Sequence, residues 1–367
     1  MMRLSRAAGL CCCSLSLLPA LAAARPAWSW DVVPNYFHCA NVSGEWNDGA
    51  LAIMAAKPFV VFEKNHKLFE DPVGDQAEAK ITESCRKLKA INASVQCLMY
   101  VEVDWARTFY SLGHWVKATP SAALRPPACS DTVNTTDHEG NFSSQFYSYD
   151  FSDATMQQRW TARVSDAVMT GYVDGAFVDG DRNGFNTNNV DKCNAAKVAD
   201  YKSGLNASFA ALATNLSGSA RGQAGTTIIT NYPTKEAMAL SSGGMTERGL
   251  ALKDFKHWSQ MKCGLDQGPC LLAFHTDHGT GAKFVPTLAT FLLGVYEQAY
   301  FGVGSGWSGA GEGACSAWLH PDQAAATDDT EGGAAGAGGG GGACQRSTPM
   351  PSVRHRATLS APTPQKV

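Results

Sequence analysis

Gly171-Tyr-Val-Asp-Gly-Ala-Phe-Val-Asp-Gly-Asp-Arg182 is the stretch of sequence that decides the predicted fold. Residues Gly175 to Val178 have the apolar character of a short strand that is buried on both faces. The strand ends in Asp179, and a glycine and another acid follow it at once. Parallel (β/α)8 barrels carry their active-site residues at the carboxyl ends of the strands. We therefore take Asp179 as the first candidate catalytic residue.

Apolar strands that end in polar residues recur along the chain and alternate with helical segments. The predicted strands cover residues 58–62, 95–101, 146–150, 175–178, 226–230, 243–249, 269–274 and 299–301. The predicted helices cover residues 41–55, 73–91, 153–169, 191–216, 235–240, 252–261 and 285–297. Eight strand–helix units in roughly 250 residues are typical of an α/β fold of the (β/α)8 TIM-barrel type. An open, doubly wound sheet is the alternative, but it usually has a glycine-rich turn after its first strand, and Glu63-Lys-Asn-His66 contains no glycine.

Composition divides the chain into three regions. Residues 1–24 are typical of a cleaved signal peptide, because Arg3 and Arg6 precede an apolar run and the small residues of a cleavage site. A membrane anchor is the alternative, but the run is too short to span a bilayer comfortably. Residues 28–307 hold the predicted barrel. Residues 308–367 are a low-complexity tail without hydrophobic periodicity, which is predicted to be disordered.

Sequons and cysteines agree with a secreted or endomembrane-lumenal protein. Glycosylation sequons begin at Asn41, Asn92, Asn134, Asn141, Asn206 and Asn215, and each is expected at an exposed loop or helix end. The cysteines beyond the signal peptide lack the short paired spacings of a zinc site, so disulfides are the expected use. Cys263 with Cys270 is the first predicted pair and Cys85 with Cys97 the second. Cys344 is the candidate for a spare thiol.

The charge of the chain excludes some partners. The formal net charge is only −3, which gives no reason to expect binding to nucleic acid or to an acidic membrane surface. After signal cleavage we expect a soluble monomer that does not bind a membrane. No cofactor and no metal are expected, because the chain has no clustered set of His and Cys ligands.

The ends of the predicted strands supply a set of polar residues that would meet at one barrel mouth. These residues are Glu63, His66, Glu102, Asp104, Asp150, Asp179, Asp181, Asn231, Glu247, His275 and Asp277. Paired carboxylates are the minimum apparatus of glycoside hydrolysis, with one acting as an acid and the other as a nucleophile or base. We expect Asp179 and Glu247 to form this pair. Aromatic residues Trp105, Tyr110 and Trp115 would suit a carbohydrate better than a nucleotide.

Several of these residues have a structural alternative. Asp179 could cap the following helix, and Asp174 is interpreted as a turn residue. Glu102 and Asp104 point to one side of their strand and could contact a substrate or form a salt bridge. His275 could be a barrel-rim histidine, and Glu63 could pair with a lysine. The segment from Asp179 to Gly184 resembles the start of a calcium loop, but Val190 stands where an EF-hand requires Glu.

Several segments together resemble the glycosyl-hydrolase-like barrel proteins, which are loosely similar to polygalactosaminidase-type and alpha-amylase-type barrels. They are Trp28-Ser-Trp-Asp31, the segment from Phe37 to Asn47, Phe62-Glu-Lys-Asn-His-Lys67, Tyr100-Val-Glu-Val-Asp-Trp105, Asp174-Gly-Ala-Phe-Val-Asp-Gly180 and Met245-Thr-Glu-Arg-Gly249. The resemblance covers about Trp28 to Trp307. It implies a TIM barrel that hydrolyses a glycosidic bond, with the catalytic Asp of the family at Asp179 and a second carboxylic residue at Glu247.

The sequence therefore predicts a secreted glycoside hydrolase that cleaves a poly- or oligosaccharide with Asp179 and Glu247. The expected substrate-binding residues are Glu63, Glu102, Asp104, Trp105, Asp150, Asp181, Asn231, Tyr232 and His275. A carbohydrate-binding barrel without catalytic activity is the main alternative. A barrel lyase or a metal-dependent hydrolase is a weaker one.

Overall fold

The computed structural model describes residues 25–70, 76–103, 105–129, 135–139, 142–180, 190–218, 226–231, 235–247, 251–264, 268–276, 284–304, 307–309 and 315–319. All of them belong to one compact unit, Met1–Asp328, and the second unit is Asp329–Val367. The predicted signal peptide, most of the predicted tail and Cys344 lie outside the described residues.

Twelve strands are found among the described residues. They are β1 Phe37–Asn41, β2 Phe59–Phe62, β3 Gln96–Glu102, β4 Trp105–Arg107, β5 Thr135–Glu139, β6 Phe142–Ser148, β7 Gly175–Asp179, β8 Thr227–Asn231, β9 Gly243–Thr246, β10 Leu271–Thr276, β11 Ala299–Val303 and β12 Ser308–Gly309. Strands β1, β2, β3 and β7 to β11 pair in parallel in the order β1-β2-β3-β7-β8-β9-β10-β11. A parallel bridge between Asn35 and Phe301 joins β11 to the residues before β1. The predicted (β/α)8 barrel is thus confirmed.

Nine α-helices are found in the same described part of the chain. They are α1 Asp48–Ala55, α2 Ala77–Ile91, α3 Ser111–Ala118, α4 Ala154–Met169, α5 Ala195–Gly218, α6 Lys235–Met238, α7 Leu252–Gln260, α8 Phe284–Gly294 and α9 Ser316–Leu319. Helix α2 shows why they pack on the barrel, because its buried residues recur every three or four positions, as at Ile81, Cys85 and Leu88. Asn47 caps α1 by accepting a 2.9 Å hydrogen bond from the Ala50 amide.

The identity of one barrel strand differs from the prediction. Residues 146–150 were expected to form a barrel strand, but β6 pairs antiparallel with β4 and β5 in a separate three-stranded sheet. The barrel strand that the sequence pattern does not predict is β1, and its last residue, Asn41, lies in the predicted helix 41–55. All five residues of β1 are buried although His38 and Asn41 are polar. A search for continuous apolar character therefore misses this strand.

Two disulfides were predicted and both are formed, Cys85–Cys97 and Cys263–Cys270. Two more, Cys39–Cys315 and Cys129–Cys193, connect segments that are distant in sequence. Four disulfides are typical of a protein that folds in an oxidising compartment. None of the described helices is long and apolar enough to cross a membrane.

The fold extends beyond the boundary predicted at Trp307. Strand β12 pairs in parallel with Ala40 and Asn41 of β1. Cys315 is bonded to Cys39, and the Trp318 side chain is only 2% exposed. The start of the segment predicted as a disordered tail, up to Leu319, therefore includes parts of the barrel wall and its packing.

One predicted glycosylation site is buried. Asn41 is 4% exposed, and its amide donates a 3.1 Å hydrogen bond to the Glu45 carbonyl, so it does not occupy the exposed position that a sequon needs. Asn206 and Asn215 are exposed on α5, whereas Asn92 is half-buried. Asn134 and Asn141 lie outside the described residues.

Candidate active site

The candidate site lies where the carboxyl ends of β3, β7 and β8 meet. Glu102 of β3 is in register with Asp179 of β7, and Tyr100 is in register with Phe177. Side chains of a strand point alternately to its two faces, so residues two apart share a face. Tyr100, Glu102 and Asp179 therefore point to the same side of the sheet, which here is the barrel interior.

Asp179 receives hydrogen bonds at both of its oxygens. Its Oδ1 atom accepts from the Gly180 amide at 2.8 Å and from Asn231 Nδ2 at 2.8 Å, and its Oδ2 atom accepts from the Tyr100 hydroxyl at 2.5 Å. Residues 181–189, the start of the segment that Asp179 could cap, lie outside the described residues. The three donors hold the carboxylate of Asp179 in one orientation at the mouth of the barrel.

The side-chain amide of Asn231 connects Asp179 to Glu247. The same Nδ2 atom donates to Asp179 Oδ1 at 2.8 Å and to Glu247 Oε1 at 2.7 Å. An amide NH2 group has two hydrogens, so it can make both bonds at once. Asn231 is 1% exposed, whereas Glu247 is half-buried. The structure thus brings together the two carboxylates that the sequence pairs, and a buried amide fixes their spacing.

Tyr100 and Glu102 form a second hydrogen-bonded group beside Asp179. The Tyr100 hydroxyl lies 3.0 Å from Glu102 Oε1, and Arg107 Nε donates to Glu102 Oε2 at 2.9 Å. The salt-bridge alternative for Glu102 is therefore the one observed. Burial, and then the negative charges of Asp179 and Glu102, raise the pKa of Tyr100 well above its ordinary value. Tyr100 consequently remains a hydrogen-bond donor throughout the usual pH range.

Glu63 lies at the end of β2 in a charged cluster. Its Oε1 atom is 2.9 Å from His38 Nε2, and its Oε2 atom is 3.2 Å from Lys64 Nζ. Burial by itself would raise the pKa of Glu63, but the charge of Lys64 and the contact with His38 outweigh it and lower the pKa to about 2. Glu63 thus forms an ion pair with a lysine, as its structural alternative predicts. Lys64 Nζ also lies 4.7 Å from the centre of the Tyr100 ring.

His275 is enclosed by aromatic rings. It is fully buried, its Nε2 atom lies 3.0 Å from the Gly304 carbonyl, and its ring stacks on Trp318 at 5.1 Å. Burial lowers the pKa of His275 to about 3. The imidazole is therefore neutral at physiological pH. This arrangement favours the barrel-rim alternative over direct binding of a substrate.

The other predicted site residues are held in separate contacts. Asp150 accepts a 2.5 Å hydrogen bond from Lys197 Nζ, and Trp105 is half-buried in β4 of the small sheet. His66 is 1% exposed, and its Nε2 atom is 2.8 Å from the Ser84 hydroxyl. Asp174 accepts from the Cys97 amide and pairs with Lys89, in agreement with a structural role.

Two aromatic residues expected at the mouth are covered. Tyr110 is 1% exposed and donates to the Tyr100 carbonyl, and Arg159 lies over the Trp115 ring. Asp104, Asp181, Tyr232 and Asp277 lie outside the described residues, as does most of the suggested calcium loop. In the described part of the chain, no three His, Cys, Asp or Glu residues are arranged to hold a metal ion.

Sequence reasoning missed four residues of this region. Tyr100 precedes Glu102 by two positions, so strand alternation alone would have placed it on the same face. His38 was missed together with β1. Arg107 is buried against Glu102, and Tyr36 carries a pKa raised by burial and by the charge of Glu247. No local sequence pattern indicates that Arg107 and Tyr36 belong to the site. The partner of Arg107 lies across a turn, and Tyr36 interacts with a residue after another strand.

The chain belongs to the family described as hypothetical glycosyl hydrolase family 15. The family described as hypothetical glycosyl hydrolase family 15 matches residues 89–308, which is more than half of the chain. The predicted relationship to glycosyl-hydrolase-like barrel proteins is thereby confirmed. A search of the curated proteins finds no match.

Three solved structures that are similar to this chain at low identity come from glycoside hydrolases. The glycoside hydrolase domain of PelA from Pseudomonas aeruginosa is 16% identical over 59% of this chain and 67% of that chain, with a TM-score of 0.34. Ega3 from Aspergillus fumigatus, solved with galactosamine, is 9% identical over 76% and 94%, with a TM-score of 0.41. The maltogenic alpha-amylase AmyB from Thermotoga neapolitana is 10% identical over 73% and 66%, with a TM-score of 0.47. All three TM-scores are below 0.5, so no residue role or substrate is transferred from these structures.

Proposed function

We propose that this protein is a glycoside hydrolase in which Asp179 is the nucleophile and Glu247 is the general acid and base. The observation that carries the proposal is the Asn231 amide, which donates to both carboxylates from one nitrogen. A glycosidase needs two carboxylates on opposite sides of the scissile bond at a fixed spacing. The barrel supplies such a pair at the mouth where TIM-barrel enzymes carry their active sites.

The spacing of the pair supports retention of anomeric configuration. Asp179 Oδ1 and Glu247 Oε1 are no farther apart than the 2.8 Å and 2.7 Å bonds laid end to end. Retaining enzymes hold their carboxyl groups about 5–5.5 Å apart, whereas inverting enzymes need about 6.5–9.5 Å to admit a water molecule. The separation of Asp179 and Glu247 agrees with the range of retaining enzymes.

The proposed reaction has two steps. Asp179 attacks the anomeric carbon while the glycosidic C–O bond breaks, and Glu247 gives its proton to the leaving oxygen. Glu247, now a carboxylate, then takes a proton from water. The hydroxide attacks the anomeric carbon, the bond to Asp179 breaks, and both side chains return to their initial state.

Hydrolysis by single variants tests the proposal. Release of reducing ends from a panel of polysaccharides should fall at least about a thousandfold in Asp179→Asn and in Glu247→Gln. The matched control is Asp153→Asn, because Asp153 caps α4 through its Oδ1 atom and Asn caps helices equally well. The control should retain wild-type activity. An active Asp179→Asn variant would remove this residue from the mechanism.

The anomer of the first product tests the stereochemistry separately. We expect retention, measured by proton NMR before mutarotation. Glycan binding by the wild-type protein without any release of reducing ends would instead support the alternative, a carbohydrate-binding barrel without activity.

We also propose that the protein is secreted or resides in an endomembrane lumen. The four disulfides support this location, because thiols are kept reduced in the cytosol. The proposed partner is a carbohydrate. The substrate-contacting roles expected for Glu63 and Glu102 become indirect, since both carboxylates are buried and paired with cationic or histidine side chains.

A further inference from the structure

We propose that Tyr100 is a positioning residue whose single hydroxyl proton alternates between Asp179 and Glu102 during the catalytic cycle. The proposal rests on the proposed function, because it needs Asp179 to lose and regain its negative charge. It assigns to Tyr100, Glu102 and Arg107 a role in orienting the nucleophile and in responding to its change of charge.

The geometry provides two acceptors for one proton. The Tyr100 oxygen is 2.5 Å from Asp179 Oδ2 and 3.0 Å from Glu102 Oε1. A phenol has one O–H group, so it donates to only one carboxylate at a time. The shorter distance places the proton towards Asp179 in the free protein. Glu102 Oε1 then faces the lone pairs of the hydroxyl oxygen.

The surroundings keep the Tyr100 side chain in place between its two acceptors. Tyr100 is 1% exposed, its ring packs on Phe177 at 5.8 Å, and Lys64 covers the ring. Strand pairing fixes Glu102 beside Asp179. The hydroxyl hydrogen of Tyr100 changes its acceptor by rotation about the phenol C–O bond. The ring itself does not have to move.

Glu102 is equipped to act as the second acceptor. Arg107, which is 7% exposed, donates to Oε2 of Glu102 and leaves Oε1 towards Tyr100. The Trp160 indole donates to the Glu102 carbonyl at 2.9 Å and fixes the backbone of this residue. A buried carboxylate without donors would be costly, and the charged donor Arg107 offsets this cost in both states of Tyr100.

The alternation follows from the charge of Asp179. In the free enzyme Asp179 is the acceptor of the Tyr100 proton. When Asp179 forms the covalent bond to the anomeric carbon, its carboxylate becomes a neutral ester, which is a weaker acceptor. The Tyr100 hydroxyl then donates to Glu102. It donates to Asp179 again once water has hydrolysed the ester. No proton is gained or lost by Tyr100 in either step.

A crystal structure of the Asp179→Asn variant, compared with one of the wild type, tests the alternation without an activity assay. The substitution removes the charge of residue 179, as the ester does, and it turns an amide nitrogen towards Tyr100, because Oδ1 still accepts from Gly180 and Asn231. We expect the distance from Tyr100 to Glu102 to shorten from 3.0 Å and the distance from Tyr100 to residue 179 to lengthen from 2.5 Å. If both distances stay at their wild-type values, the alternation is overturned.

The pH profile of kcat/KM provides the second test. In Tyr100→Phe, Asp179 loses a donor and faces Glu102, so kcat/KM should fall about 10- to 100-fold and its acidic limb should move to higher pH. In Glu102→Gln a neighbouring negative charge is removed, so the acidic limb should move to lower pH. The matched control is Tyr300→Phe, because the Tyr300 hydroxyl is buried against the Pro26 carbonyl at the opposite end of the barrel. The control should keep the wild-type profile.

The results separate this inference from the proposed function. Asp179→Asn and Glu247→Gln could abolish hydrolysis while the acidic limbs of Tyr100→Phe and Glu102→Gln stay at the wild-type pH. In that case Tyr100 only supports the fold and the alternation is wrong. If Asp179→Asn remains active, the proposed function itself fails. Opposite shifts of the acidic limb in Tyr100→Phe and in Glu102→Gln would support the alternation. A purely structural role of Tyr100 would not shift the two pH profiles in opposite directions.

Discussion

Asn231 contributes more to the candidate site than its small side chain suggests. It is buried at the end of β8, and its amide nitrogen is the atom that Asp179 and Glu247 share. Two carboxylates at this spacing repel each other, and a donor between them offsets this repulsion. A neutral amide fulfils this requirement without forming a competing ion pair.

Asn231→Asp should therefore disrupt the site more than the exchange of one nitrogen for one oxygen suggests. The variant replaces a donor by an acceptor that adds a negative charge between the two carboxyl groups, and we expect kcat/KM for the glycan substrate to fall at least about a hundredfold. Asn194→Asp is the matched control, because exposed Asn194 accepts from the Lys197 amide through Oδ1 at a helix start, and Asp makes the same contact. The control should change kcat/KM by less than about twofold. Equal losses in both variants would contradict the bridging role of Asn231.

At the scale of secondary structure elements, β1 and α9 complete the barrel together. The Cys39–Cys315 disulfide joins them, and Trp318 of α9 packs against Tyr36, Phe37 and His38. Gly304 makes room for this ring, because a side chain there would begin 1.9 Å from Trp318 Nε1. Cys315 and Trp318 are thus part of the packing around β1.

Trp318→Ala should destabilise the protein by roughly 3–5 kcal/mol, because it leaves a cavity under His275. The free energy of unfolding in urea measures this effect. Trp30→Ala is the matched control, since Trp30 is 70% exposed, and it should cost less than about 1 kcal/mol. Similar losses in the two variants would show that α9 does not stabilise the barrel.

At the scale of the whole molecule, buried ionisable groups make the fold sensitive to acid. Burial lowers the pKa of His66 and of His275 to about 3, from an ordinary value of 6.5. The unfolded chain therefore binds these two protons more tightly, and stability falls as the pH drops from about 6.5 towards 3. Glu63, with a pKa lowered to about 2, adds a loss between about pH 4.5 and 2.

The free energy of unfolding should accordingly decrease between pH 7 and pH 5, by about 2 kcal/mol for each of the two histidines. His66→Gln should reduce this decrease by about 2 kcal/mol, because glutamine does not titrate and can still bind the Ser84 hydroxyl. His257→Gln is the control, since His257 is exposed on α7 and meets water in both states. The same pH dependence in His66→Gln and in the wild type would contradict the prediction.

The sequence by itself determined the fold class, because hydrophobic periodicity is local. Strands such as β2 and β3 are continuous apolar runs, and the acids that follow them mark the barrel mouth. Asp179 and Glu247 could be named for the same reason, and Cys263 could be paired with Cys270 because only a short loop separates them.

Only the tertiary structure decided which segments pair and which groups meet. Strand β1 is polar in part, and its burial is compensated by residues such as Glu63 that are distant in sequence. Residues 146–150 have the appearance of a strand, but their pairing partners place them outside the barrel. The contacts of Asn231 and Tyr100 depend on register between strands that are separated by dozens of residues. Local patterns carry no information about such register, because hydrogen-bond partners are selected by the closed sheet as a whole.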